Sequence, residues 1–506
     1  MVKKLLQNLF SNVSVLVLKM GITFIMSPVI VRALGNYDYG IWEIVFCIVG
    51  YMGLLDVGIP TAIIRYTAKY NAENNKEKLE ELFSTSLAFM FFIGFLIFLF
   101  FLCWIFILPQ SFLEGGDSKQ KYIFFLLIIG LQMFFTFPGY VFQSMHQGFQ
   151  RYNLINLVTI INSVVGAIII FVLLNRGGGL LTLAITNAAG ISLKYIIYWI
   201  MLRSPHFGGF RFRIKKISVV RAKELLTFGL RSLIIGISLQ ISFSTGPLII
   251  GAFLGPVIVT FYVIPSGLVR HACNLIASST LAFMPVFSDL SAKNDKKTMA
   301  KLYLSASRYI VGILFPIIAG IYFLGVPFLS RWMGIEYAEK GRYVIYILTI
   351  AYTLAYFNPF SNRFLTGIGR QGVLAKLRFS SAVLNLVLSL ILVHFFNKEG
   401  VAIAALIPAL IIEPLILYST CRKLGITVFK YAYNVFFPLT FPLFLILFFL
   451  WWATNSFSCK SYSEMFLITI SSAVLYITAF IIISMKKDER LVVVRKLRES
   501  INLVLA

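Results

Sequence analysis

Apolar runs of about twenty residues recur along the whole chain, separated by short clusters of charged residues, Pro and Gly. Each run can cross roughly 30 Å of hydrocarbon as a helix. A helix also satisfies its own backbone hydrogen bonds where no water can reach them. Reading hydropathy against the breaks gives fourteen spans, at 10–31, 39–64, 83–108, 122–145, 155–175, 178–201, 227–251, 256–284, 304–329, 343–366, 373–396, 399–420, 435–453 and 465–485. The predicted fold class is an all-α membrane protein with 14 transmembrane helices.

An even number of spans puts both termini on one side, and Lys and Arg indicate which. With cytoplasmic termini, the inner pieces hold 31 of these residues, the outer loops 9, and the spans themselves five. This bias predicts an inner-membrane protein with both ends in the cytoplasm. The longest loop, 202–226, carries Arg211, Arg213, Lys215 and Lys216. It reads as a topology anchor, with a lipid or partner site as the alternative. The segment 486–506 spaces Leu491, Val494, Leu497 and Ile501 among basic residues, a pattern for a short amphipathic helix on the inner leaflet.

Composition agrees. Of 506 residues, 59% are hydrophobic and only 13% charged, which overrules the roughly three soluble domains that length alone suggests. The net charge of +25 lies in short loops rather than on one soluble face, which argues against a nucleic-acid partner. Cys47, Cys103, Cys273, Cys421 and Cys459 have no paired spacing, so neither a disulfide framework nor a metal site is expected. Lys19 interrupts the first apolar run and no small-residue cleavage site follows, so the start reads as an uncleaved span.

The chain also repeats itself. Residues 72–83 align without gaps on 292–303, Leu34-Gly35 aligns with Leu254-Gly255, and Pro28 falls one position from register with Pro247. Gly148 to Arg151 matches Gly367 to Arg370 at an offset of 219. The offset spans six helices. The expected organisation is a six-helix lobe at 1–210, a parallel six-helix lobe at 211–430, spans 13 and 14 at 431–485, and a cytoplasmic basic tail at 486–506. Transporters use such repeats to enclose a site near the midplane.

Charge inside a membrane costs about 2.5–3.5 kcal/mol per residue on insertion scales, so its position is informative. Lys19 and Arg270 lie near the middle of spans 1 and 8, whereas Lys194, Arg231 and Arg308 are within snorkelling reach of the inner edge. Span 1 carries a stripe of Asn8, Asn12, Lys19 and Thr23; span 7 carries Arg231, Ser238, Ser242 and Thr245. Such stripes glue helices together or line a wet cavity. Their shared place in the first helix of each repeat favours a cavity between lobes, faced also by Arg270 and His271. Among the intramembrane acids, Asp56 and Glu43 fit either a coupling cation or an ion pair, and Glu413 a structural pair. No P-loop, zinc motif or G-x-S-x-G is present, so a transporter without cofactor is expected rather than an enzyme.

The stretch from Pro28 through Leu34-Gly35 and Tyr39-Gly40-Ile41-Trp42, followed by Leu55-Asp56-Val57-Gly58, Arg65-Tyr66 and Lys69-Tyr70, resembles the polysaccharide transporter (oligosaccharide flippase) branch of the multidrug/oligosaccharidyl-lipid/polysaccharide superfamily. The resemblance implies export of an undecaprenyl-diphosphate-linked oligosaccharide to the outer leaflet, as in O-antigen flippases, alongside the polymerase and glycosyltransferases of the same pathway. It also implies a cationic central cavity for the diphosphate, in which Lys19, Arg270 and Arg65 occupy comparable places. Spans 13 and 14 would form a groove for the lipid tail. A drug exporter of the same superfamily is the nearest rival, and a membrane glycan polymerase or glycosyltransferase the rival from another class.

Overall fold

The computed structural model describes residues 2–106, 119–205, 208–280, 283–485 and 489–490, and the side chains at 2–13, 228–235, 239, 242, 243 and 275 fall outside it. The side chains of Asn8, Asn12, Arg231 and Ser242, and nearly all of the basic tail, therefore lie outside the described residues.

Within them the chain is helical, with no strand. The helices are α1 (Val2–Gly53), α2 (Ile59–Ala72), α3 (Lys76–Phe106), α4 (Lys119–Gly148), α5 (Tyr152–Asn175), α6 (Leu180–Arg203), α7 (Val219–Leu254) and α8 (Pro256–Ser279). They continue as α9 (Phe283–Ala292), α10 (Lys296–Trp332), α11 (Ile335–Tyr356), α12 (Ser361–Gly367), α13 (Gln371–Leu424), α14 (Val428–Val435), α15 (Thr440–Ser456) and α16 (Tyr462–Ala479). Eleven stretches are long and apolar enough to cross a membrane, including Ser14–Asp56 and Gln371–Leu424, which contain 43 and 54 residues. Both of these are broken: α1 at Gly35 (φ 75°, ψ 169°) and α13 at Phe396–Asn397, where Asn397 has φ 51°. This is a multi-pass membrane protein. Its helices turn large apolar side chains outward as well as inward. On α3, Phe92, Phe95 and Phe100 are exposed while Met90, Ile97 and Phe101 are buried. Water would penalise that outer face; lipid tails do not.

By contacts the chain divides into two compact units, Met1–Thr260 and Phe261–Ala506. In the first unit, small residues allow close approach of the second half of α1 to α7 and the start of α8. A Cβ on Gly40 would meet the Pro256 carbonyl oxygen at 1.9 Å, and one on Gly50 would meet the Gln240 amide at 2.2 Å. Side chains at either position would force the backbones apart. The basic loop docks on the N-terminal turns of α3: Lys216 Nζ is 2.7 Å from Glu77, Arg213 is 3.8 Å from Glu80, and Arg221 Nε is 3.1 Å from Glu81. Arg221 also donates to Glu224, and the Tyr70 hydroxyl donates to the same carboxylate at 2.8 Å. Burial works against the charged form of Glu224, but these donors hold its carboxyl below the ordinary range. The second unit has its own core, in which Phe287, Tyr303, Phe360, Phe364 and Tyr431 are fully buried.

The sequence repeat reappears in backbone conformation. Gly35 and Gly255 share one geometry (φ 75°, ψ 169° and φ 84°, ψ 167°). Asn74 and Asn294 are left-handed at φ 51° and 54°, each closing a helix that ends on the first residue of the matching segments. Gln150 (φ 56°) and Gly369 (φ 73°) do the same before Arg151 and Arg370. The Arg151 N–H returns to the His146 carbonyl at 3.0 Å, and the Arg370 N–H to that of Leu365 at 2.8 Å. These are left-handed helix terminations, which Asn and Gly adopt at least cost.

Candidate functional site

The first unit encloses a cavity of about 420 Å³ between α1, α5 and α6. Lys19 and Thr23 line it from the first half of α1, and Tyr39, Trp42 and Glu43 from the half beyond the Gly35 break. The break turns a single helix back on itself, so residues twenty-odd positions apart share one chamber. From α5 and α6 come Asn162, Ser163, Thr186 and Asn187. Lys19 is exposed to this space, and among the described residues it makes no ion pair within 4 Å. The Thr23 hydroxyl donates to the Lys19 carbonyl at 2.9 Å, and that of Ser27 to the Thr23 carbonyl at 2.7 Å. Their oxygens keep acceptor capacity towards the cavity. Lys194, on α6, stands over the Tyr195 ring at 4.3 Å, within electrostatic reach of Lys19. Two cations thus work against the single carboxylate of Glu43 in setting the local potential.

The sequence stripe brought Lys19 and Thr23 into view and the cost of an intramembrane acid brought Glu43; the walls from α5 and α6 it did not. Asn162 and Asn187 look like ordinary helix glue until the two helices are placed beside α1. Other expected residues sit elsewhere. Arg65 is exposed on α2 beside the Tyr66 ring, 5.8 Å from its centroid, and does not line this cavity. Ser238 is buried in the packing of α7. The Asp56 carboxylate accepts the Gly58 N–H at 2.7 Å, spanning a turn in which Val57 and Gly58 are both left-handed. The Leu-Asp-x-Gly pattern thereby acquires a structural reason: the carboxylate caps the turn between α1 and α2.

In the second unit, Arg270 lies on α8 within electrostatic reach of the partly buried Tyr352 of α11, with no ion pair within 4 Å among the described residues. Two arginines that pattern reading passed over lie near Tyr356: Arg363, which donates to Thr280 at 3.3 Å, and Arg378, which is bonded to Glu413. An apolar groove of about 730 Å³ runs between α10 and α16, lined by Pro316, Gly320, Leu324, Phe328, Met465 and Phe466 together with Leu268 of α8. Its walls offer almost nothing but hydrocarbon and aromatic rings, so they suit an alkyl or isoprenoid chain. Among the described residues, no group of three His, Cys, Asp or Glu side chains is placed to hold a metal ion.

Known proteins share this sequence and architecture. Two Shigella proteins, each named "Putative O-antigen transporter", are similar in sequence. The one from Shigella dysenteriae is 24% identical over 53% of this chain, and the match spans 65% of its own length. The one from Shigella flexneri is 23% identical over 74% of this chain and 87% of its own. Among solved structures, the lipid II flippase MurJ in an inward closed conformation superposes with a TM-score of 0.74 at 14% identity, covering 94% of this chain and 98% of that one. An inward-facing multidrug resistance MATE family transporter of the MOP superfamily gives 0.67 at 15% identity, covering 81% and 98%. At such identities the structures establish a common fold. Residues 5–291 match the family described as polysaccharide biosynthesis protein, and on that match, over more than half its length, the chain belongs to this family.

Proposed function

We propose that the protein is a flippase that carries a polyprenyl-diphosphate-linked oligosaccharide from the cytoplasmic to the outer leaflet for surface polysaccharide biosynthesis. The observation that carries this reading is a lysine, Lys19, exposed to a cavity that Asn162, Thr186 and Asn187 also line, in a chain that also builds an apolar groove against α16. A lipid diphosphate needs both. Its roughly two negative charges resist leaving water without positive partners, and its isoprenoid tail needs a hydrocarbon surface. The sugar would hydrogen-bond to amides and hydroxyls such as Asn162, Asn187 and Thr186.

The proposal includes fourteen spans, obtained by dividing Ser14–Asp56 and Gln371–Leu424 at their breaks and counting the whole of α7. It includes two six-helix lobes, 1–210 and 211–430, which alternate access to the substrate, with 431–485 appended. Lys19 would receive the diphosphate in this cavity. Inside-negative membrane potential favours outward movement of uncompensated negative charge, by about 2.3 kcal/mol per charge per 100 mV.

Glu43 favours a second reading, because a carboxylate in the same cavity suits an organic cation, as in a drug exporter. Deletion of the gene separates the two. The flippase reading predicts loss of surface glycan and accumulation of lipid-linked oligosaccharide in the inner leaflet, with unchanged sensitivity to cationic dyes. Dye sensitivity with normal surface glycan would replace it with the exporter.

A further inference from the structure

The repeat brings residues of opposite charge to equivalent places. At an offset of 220, Glu77 and Glu81 of α3 correspond to Lys297 and Lys301 of α10. In the first unit those acids hold the basic loop through Lys216 and Arg221. In the second unit the equivalent turns of α10 face the Gly425 turn and α14, and the space between them is a pocket of about 420 Å³. Lys296, Lys297, Lys301, Arg308 and Lys430 all line it. Among the described residues the four lysines make no ion pair within 4 Å. Arg308 is 5% exposed; its Nη2 is held by Glu489 at 2.6 Å, while its buried Nε has no partner among the described residues. Where the first unit pairs its basic loop with Glu77 and Glu81, the described residues of the second place Glu489 on Arg308 and no carboxylate within 4 Å of the four lysines.

The adjacent flank of α14 indicates the source of an anion for this pocket. Phe429 and Tyr433 are 80% and 56% exposed, and the rings of Phe429, Tyr433 and Phe437 stack in succession at 6.5 Å and 5.1 Å. Exposed aromatic rings on a short amphipathic helix belong at the headgroup level of a membrane. Lys430 and Asn434, between them in sequence, reach back into the pocket.

We propose that this pocket binds the phosphate head of an anionic lipid, held by Lys297, Lys301 and Lys430 while α14 rests in the interface. The site lies apart from the transport cavity, and the inference depends on neither its substrate nor its direction.

The test uses the full-length protein in phosphatidylcholine nanodiscs, with native mass spectrometry to count retained lipid. Phosphatidylglycerol and undecaprenyl phosphate are each supplied as the minor component. Wild type should retain one of them above phosphatidylcholine, and the lipid retained distinguishes a bilayer headgroup from a polyprenyl carrier. Lys297→Gln, Lys301→Gln and Lys430→Gln should each weaken retention roughly fivefold. Lys293→Gln, outside the pocket, should not. Melting curves on the same samples verify folding. Equal retention by wild type and the triple variant would overturn the proposal. So would displacement of the lipid by inorganic pyrophosphate at equal concentration, since the pocket would then select free phosphate. Because the readout is binding, a failure here leaves the flippase reading standing, and the reverse also holds.

Discussion

Glu413, 2% exposed on α13, accepts hydrogen bonds from the Arg378 guanidinium of the same helix, 35 residues earlier in sequence and across the break at Asn397. Arg378 also reaches Asn362 at 3.2 Å, and the Asn358 amide donates to the Glu413 carbonyl at 3.1 Å. The pair ties both halves of α13 to the segment around α12. Removing one partner strands a largely buried charge. Glu413→Ala should therefore cost about 3–5 kcal/mol, read as a lowered melting temperature and reduced abundance in the membrane. Arg378→Met with Glu413→Leu should recover much of that loss. A single variant as stable as wild type would show the pair to be dispensable.

The Thr260 hydroxyl donates to the Asn36 carbonyl at 2.7 Å, just past the Gly35 break, and Gly40 packs against Pro256 one turn further on. If alternating access operates, this contact has to open. Asn36→Cys with Thr260→Cys, in a background without the five native cysteines, should crosslink and stop glycan export, and reduction should restore it. Full export with the crosslink formed would remove this contact from the moving parts.

Gly320 lines the apolar groove, and a Cβ there meets nothing within 4 Å. Gly320→Phe should fill part of the groove with little strain, and an α10 residue changed from Gly gains helix propensity of up to about 1 kcal/mol. The variant should be at least as stable as wild type yet export glycan several-fold more slowly. Unchanged export would argue that no lipid tail lies there.

Much of the fold was legible in the sequence because local physics sets it. The break at Gly35 was visible as a Leu-Gly step between apolar runs, and that at Asn397 as a gap between two spans. The repeat was visible because Ala72, Asn74 and Leu82 recur at one offset as Ala292, Asn294 and Leu302. Relations between distant segments were harder to see. The basic loop 211–216 has the look of a free topology anchor until Glu77, Glu80 and Glu81 come beside it. Asp56 fitted either a coupling cation or an ion pair, and its hydrogen bond to the Gly58 N–H was not legible, since a turn cap inside a span has no periodicity to reveal it. Lys19, Thr23 and Glu43 were legible from the cost of burying polarity, but the chamber they share needed α5 and α6 in place.

The claim that Lys19 neutralises a lipid-borne diphosphate in this cavity is tested most directly in proteoliposomes. Purified wild type and Lys19→Gln would be reconstituted with a labelled polyprenyl-diphosphate oligosaccharide, and transfer between leaflets followed by enzymatic access to the sugar. Loss of one charge–phosphate contact in a site of low dielectric should slow transfer by roughly tenfold or more. Lys19→Arg should retain most of the rate, and the melting temperature of both variants should stay near that of wild type. Wild-type transfer by a folded Lys19→Gln protein would contradict the account.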